Sequence, residues 1–280
     1  MIQRFMSDEI NKFLADNEPM DVAVGVASES KVLFTYGDLE TVYEMASLTK
    51  LFTALTILTA LHDGIAALED PVGPNGALLS HLLSHSSGIS FDNPDLILAR
   101  PGQKRIYSNA GMDLAASYLE SKLGYKLSDF MAEKLFLPLS MTSVTLKGSY
   151  AKGGFSNLYD ILRLGIELLG KKILPISVHN RISQVAYPNL DGVLPGFGRQ
   201  TPCDFSFGAE VKDSKHPHWT GSGNSPATFG HFGKSGSFIW VDAEHKLTCV
   251  YLGKRPFENF HKLIWPQLSD MVLSVYSKQA

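Results

Sequence analysis

Two kinds of apolar patterning alternate along the chain. Residues 21–37, DVAVGVASESKVLFTYG, hold two runs of β-branched and aromatic residues around the polar Ser28-Glu29-Ser30. That layout predicts two strands and a turn. Residues 45–62 switch to helical spacing. Leu48, Leu51, Phe52, Leu55 and Leu58 recur on one face, and Gly64 supplies a stop. The same period returns in AGMDLAASYLESKLG, SDFMAEKLFL and NLYDILRLGIELLG, which predict helices in the middle of the chain. Residues 187–226 lose it. They are rich in Gly, Pro, Ser and Asn and predict a long surface loop near a site. GSFIWVD and KLTCVYLGKR then read as two strands joined at Ala243-Glu244-His245, and LIWPQLSDMVLSVY as a closing helix. MIQRFMSDEINKF reads as an amphipathic helix at the start. Strands at both ends with helices between predict one α/β (α+β) sheet built from both termini, with a helical region inserted.

Composition narrows the classes. With 44% hydrophobic and 19% charged residues, the 280-residue chain has ample core for a globular protein. A net charge of −3 gives no basic surplus for nucleic acid or an anionic membrane. Cys203 and Cys249 are too few for a disulfide framework or a Cys-rich zinc site. LFTALTILTALHDG is broken by Thr53, Thr56 and Thr59 and falls short of the roughly 20 apolar residues that span a bilayer. The first residues lack the layout of a signal peptide. The sequence therefore predicts a cytoplasmic protein with neither a nucleic-acid nor a membrane partner.

The stretch GHFGKSGSF, residues 230–238, admits several readings. Gly233-Lys234-Ser235 matches the end of a phosphate-binding loop, but the first glycine of that motif is replaced by Thr228. The next segment, SFIWVD, is β-like, so no helix N-terminus is available for phosphate. A nucleotide loop is excluded on both counts.

A serine nucleophile has better support. No G-x-S-x-G occurs, but EMASLTK places Ser47 and Lys50 three apart at the head of the buried helix, on one face. The Ser47 amide falls where first-turn N–H groups are unpaired and can serve an oxyanion. To act as a base near neutrality, Lys50 must lose about three units from a pKa near 10.4, and burial acts in that direction. S-x-x-K alone is common by chance. Tyr107 and Asn109 in RIYSNAG add a phenol and an amide. A phenol beside a cationic lysine is expected to have a lowered pKa and to relay protons. Asn109 can donate to a substrate carbonyl.

Together these residues resemble the serine β-lactamase-related hydrolases: class C β-lactamases, D-alanyl-D-alanine carboxypeptidases, D-aminopeptidases and a group of esterases. Ser47-Leu48-Thr49-Lys50 matches the first motif of that family and Tyr107-Ser108-Asn109 the second. LLSHSSGIS at 82–90 and FLPLSMTSV at 136–144 resemble two further segments. The resemblance spans roughly residues 20 to 253. It implies an antiparallel sheet from residues 1–66 and 205–280, a mainly helical insertion at 67–204, and a single domain. The third motif, Lys-Thr-Gly or His-Thr-Gly in the family, aligns best with His231-Phe232-Gly233, leaving the Lys234 amide as second oxyanion donor. The other register puts Lys234 itself in the motif. Phe232 in place of a hydroxyl residue, and a neutral His231, weaken the hold on a substrate carboxylate. The resemblance implies a serine hydrolase acting through an acyl-enzyme on a small ester, amide or peptide, with no metal or cofactor. A β-lactamase or penicillin-binding carboxypeptidase is the alternative, and a silent binding protein on the same fold is the alternative of another class.

The remaining candidates have plainer readings. His81 and His85 are spaced like paired metal ligands but fall in the family's Leu-Leu-Ser-His segment and read as structural. His216-Pro217-His218 reads as a solvent-facing loop. Trp219 and Phe197 fit either a pocket wall or loop anchors. Asp160 and Glu167 read as a solvated helix face.

Overall fold

The computed structural model describes residues 2–17 and 21–277. Its strands are β1 (Val22–Ala27), β2 (Val32–Tyr36), β3 (Val42–Ala46), β4 (Thr145–Leu146), β5 (Gly154–Asn157), β6 (Gly192–Leu194), β7 (Gly198–Gln200), β8 (Glu210–Val211), β9 (Phe229–Gly233), β10 (Ser237–Asp242) and β11 (Leu247–Gly253). The helices are α1 (Ile2–Asn17), α2 (Thr49–His62), α3 (Leu79–Leu83), α4 (Asn109–Leu123), α5 (Leu127–Met131), α6 (Leu158–Gly170), α7 (Ile176–Ser183) and α8 (Asn259–Tyr276). The main sheet runs β2-β1-β11-β10-β9-β8 and is antiparallel throughout. Its seam pairs β1 with β11, from Val22↔Gly253 to Ala27↔Thr248. The sheet is thus closed by both ends of the chain, as the two terminal strand groups predict.

Both sheet faces are covered, so its inner strands are apolar on both sides. Val24, Trp240, Tyr251 and Trp265 pack in one core, where α8 lies on the sheet and α1 on α8. Ala23, Ile239 and Val250 face the other core, with α2 and α6. Alternate residues of β1 serve the two cores, the period of two expected of a strand. Helix α6 lies close on β11: a Cβ on Gly165 would sit 2.6 Å from Thr248 Oγ1. Gly165→Val should therefore destabilise the fold by roughly 2–4 kcal/mol, read from urea unfolding; an unchanged midpoint would show that the helix can back away freely. Helix α2 ends as Gly64 predicts. Gly64 has φ of 74°, and the amides of Gly64 and Ile65 return to the carbonyls of Leu61 and Ala60.

The fold departs from the sequence reading in three places. Residues 45–46, read from sequence as the start of the helix, instead end strand β3, in which Tyr43 and Met45 are buried while Val42 and Glu44 are exposed and which pairs with β5. Residues 187–226 are not one surface loop. They include β6, β7 and β8 and bury Gln200, Phe205 and Trp219. Short extended pieces have too few residues to show a period. Asp160 and Glu167 are buried rather than solvated. Asp160 accepts from the Ser143 amide and hydroxyl, both at 2.7 Å, and Glu167 accepts from the amides of Ile173 and Leu174 and contacts His179. Seven residues apart, they share a helix face that turns inward. Among the described residues no helix is long and apolar enough to cross a membrane.

Candidate active site

Between β3 and α2 the chain turns sharply at Ala46, which has φ of 43°. A non-glycine residue there is strained by about 1 kcal/mol or more. The turn presents Ser47 just ahead of α2, and the Lys50 amide closes on the Ser47 carbonyl at 3.1 Å. The end of β9 runs against this turn. A Cβ on Gly233 would lie 2.6 Å from the Met45 carbonyl oxygen, so only glycine lets the strand approach so closely.

Lys50 is fully buried at the base of Ser47. Its Nζ lies 3.3 Å from Ser47 Oγ, 2.6 Å from Asn109 Oδ1 and 3.0 Å from the Ala151 carbonyl. Burial pulls its pKa down to about 7, with Asp113 and Asp92 opposing and Lys152 assisting. The neutral amine has two N–H groups and one lone pair. Asn109 Oδ1 and the Ala151 carbonyl can only accept, so they take the two N–H groups and leave the lone pair facing Ser47 Oγ.

Asn109 opens α4, with Ser108 as its N-cap accepting from the Gly111 amide. Sequence reasoning aims Asn109 at a substrate carbonyl. In the fold its Nδ2 donates instead to Asp92 Oδ1 at 2.8 Å, and its carbonyl serves Lys50. Tyr107 precedes this cap. Its ring packs on His85, and Lys50 Nζ sits 4.8 Å from the ring centre. Burial pushes the phenol pKa well up, with a hydrogen bond to Ser47 working against it. This corrects the expectation of a lowered phenol pKa: the dry surroundings outweigh the lysine, itself held near neutral.

His231, on β9, is buried, and its Nδ1 lies 2.7 Å from the Phe232 carbonyl. A carbonyl only accepts, so Nδ1 carries the proton and Nε2 is free to accept from the Tyr107 hydroxyl at 3.4 Å. Burial and Lys50 pull its pKa down to about 3, so the ring is neutral. Lys234 is exposed in the turn after β9. The geometry thus sets His231 beside Tyr107. Among the described residues neither the Ser47 nor the Lys234 amide donates to a protein acceptor, and both residues line one cavity.

That cavity has a volume of about 270 Å³. Ser47, Tyr107 and His231 lie on it, and most of the rest is apolar: Phe91, Leu194, Pro195, Phe205, Phe232 and Phe257. Trp219 and Phe197 stand behind this wall, packed on Phe232. Five of these six apolar wall residues come from outside the recognised motifs, and only the loop-rich composition of 187–226 hinted at three of them.

Sequence reading also missed what braces the site. Arg105 is buried and donates to the carbonyls of Ser84, Ala186, Tyr187 and Cys203, which fixes the approach to Tyr107. Glu210, on the cavity wall, is buried against Lys215 at 2.5 Å, His218 at 2.8 Å and the Trp219 indole at 2.8 Å. His218 is therefore inside, whereas His216 is exposed, so only half of that loop faces solvent. His81 caps α3 by accepting from the Leu78 amide, and His85 accepts from the Ser108 amide. Among the described residues no group of three or more His, Cys, Asp or Glu side chains could hold a metal ion.

Comparison with known proteins agrees with this architecture. A beta-lactamase from Mycobacterium bovis is 37% identical and superimposes with a TM-score of 0.93, over 96% of this chain and 99% of that one. Simvastatin synthase from Aspergillus terreus, only 14% identical, shares the fold with a TM-score of 0.81 over 98% of each chain. A penicillin-binding protein of Bacillus subtilis is 30% identical over a stretch covering 35% of this chain and 29% of that protein, so the match spans under a third of its length. The beta-lactamase family profile matches residues 15–269. The chain belongs to the beta-lactamase family.

Proposed function

We propose that this chain is a serine hydrolase that works through an acyl-enzyme on a neutral ester or amide with an apolar acyl group. The observation that carries the reading is Lys50, buried and held with its lone pair toward Ser47 at the mouth of an apolar cavity. Lys50 takes the proton as Ser47 attacks the carbonyl. The Ser47 and Lys234 amides hold the oxyanion. Tyr107 stays a phenol, fixed by His231, and delivers its proton to the leaving group; the Lys50 ammonium resupplies it, which closes the proton count. Water then enters and the same groups run in reverse. Asn109 acts on Lys50 rather than on substrate. A neutral fluorophosphonate should label Ser47 alone, read by peptide mass spectrometry; labelling elsewhere, or none, would sink the reading.

Penicillin hydrolysis is the alternative, supported by the names of the relatives. The site argues for neutral substrates instead. His231 is uncharged, Phe232 offers no hydroxyl, and Lys234 is out in solvent. Short-chain aryl esters should therefore outpace benzylpenicillin in kcat/KM by about 10²-fold or more, the cost of leaving a carboxylate unpaired. The two rates measured side by side decide it. Faster penicillin turnover would show that Lys234 reaches in to take the carboxylate.

A further inference from the structure

The motifs account for Lys50 and Asn109 but not for the second acceptor of Lys50, the Ala151 carbonyl, or for what holds it. Asn109 and Asp113 lie four apart on α4 and so share a face. Asn109 grips Lys50 directly, at 2.6 Å. Asp113 reaches the same lysine through one intermediary. Its Oδ1 accepts the Ala151 amide at 3.0 Å, while the Ala151 carbonyl accepts from Lys50 at 3.0 Å. Ser149 clamps the carboxylate from the other side, its hydroxyl 2.9 Å and 2.8 Å from the two oxygens. Residue 151 therefore hangs between Asp113 and Lys50 by its own backbone groups.

We propose that Asp113 is a positioning residue of this site, which aims the Ala151 carbonyl at Lys50 and places a fixed negative charge behind it. The inference rests on the reading of Lys50 as the base of Ser47. The other groups facing Lys50 do not replace Asp113. Asp92 is half-exposed and paired with Lys152, so the two largely cancel in solvent. His85 and His231 are neutral, and Tyr107 remains a phenol. Asp113 is only partly exposed and has no cationic partner among the described residues. Its charge favours the ammonium form of Lys50, so it sets how far up the pH scale the amine keeps its proton before it can act as a base.

The test is the pH dependence of Ser47 labelling by a neutral fluorophosphonate, in the native chain, Asp113→Asn and Asp113→Ala. Asparagine keeps an acceptor for the Ala151 amide and loses the charge. Its limiting rate should stay within a few-fold of native while its acid limb moves down by about half a unit or more. Alanine should show the same shift and also lose about tenfold in limiting rate, the worth of one positioning hydrogen bond. A limb in Asp113→Asn that coincides with the native one, or moves up, overturns the proposal, even if the alanine variant does not fold. A native chain that never labels at Ser47 is a different result, because it removes the base reading itself.

Discussion

Ser47→Ala should lower ester hydrolysis by about 10⁴-fold or more, because every step of an acyl-enzyme route passes through that oxygen. The fold should not notice. Among the described residues Ser47 Oγ hydrogen-bonds with Lys50 and Tyr107 alone, and Lys50 keeps Asn109 and Ala151 as partners. Intact mass after mixing with a slowly released ester separates the outcomes. The native chain gains one acyl group, the variant none, and both melt within a degree or two of each other. An adduct that persists in Ser47→Ala would move the nucleophile elsewhere.

Lys50→Arg should cost nearly as much, about 10³-fold, although it keeps a cation in place. A guanidinium does not give up its proton near neutrality, so it has no lone pair for Ser47. The native enzyme should show the matching pH signature. Lys50 must be neutral to work, and its pKa is pulled down to about 7. Below that value kcat/KM should fall tenfold per pH unit, and above it the rate should level off. His231 is neutral down to about 3 and Tyr107 titrates far above, so neither interferes in this range. A flat profile from pH 5 to 8, or an active Lys50→Arg, would rule out Lys50 as the base.

How legible this was in the sequence depended on how local each cause is. The register of α2 and its glycine stop came straight from period and caps, because neighbours three and four apart decide them. The strand at 42–46 was hidden because Met45 and Ala46 also fit the helical stripe, and the bend at Ala46 leaves no mark in residue type. The buried carboxylates Asp160, Glu167 and Glu210 look like surface residues because their partners lie in other segments. The site behaves alike. Ser47, Lys50, Tyr107 and His231 could be picked out by motif. Asp113 and Arg105 act through backbone groups of distant residues and carry no motif. Tyr107 was misjudged for the same reason: its neighbours, not its spacing, make its surroundings dry.

The seam between β1 and β11 has a consequence for how the protein is made. About 230 residues separate Val22 from its partner Gly253. On a ribosome adding roughly 5–20 residues per second, the first strands wait about ten to fifty seconds for the strand that completes their ladder. The Ser47 turn emerges early, but Gly233, packed against it, and His231 arrive only with β9. A nascent chain therefore carries the Ser47 turn long before the rest of the site can assemble around it. During that interval β1 offers an apolar edge that chaperones, or a neighbouring nascent chain, can occupy.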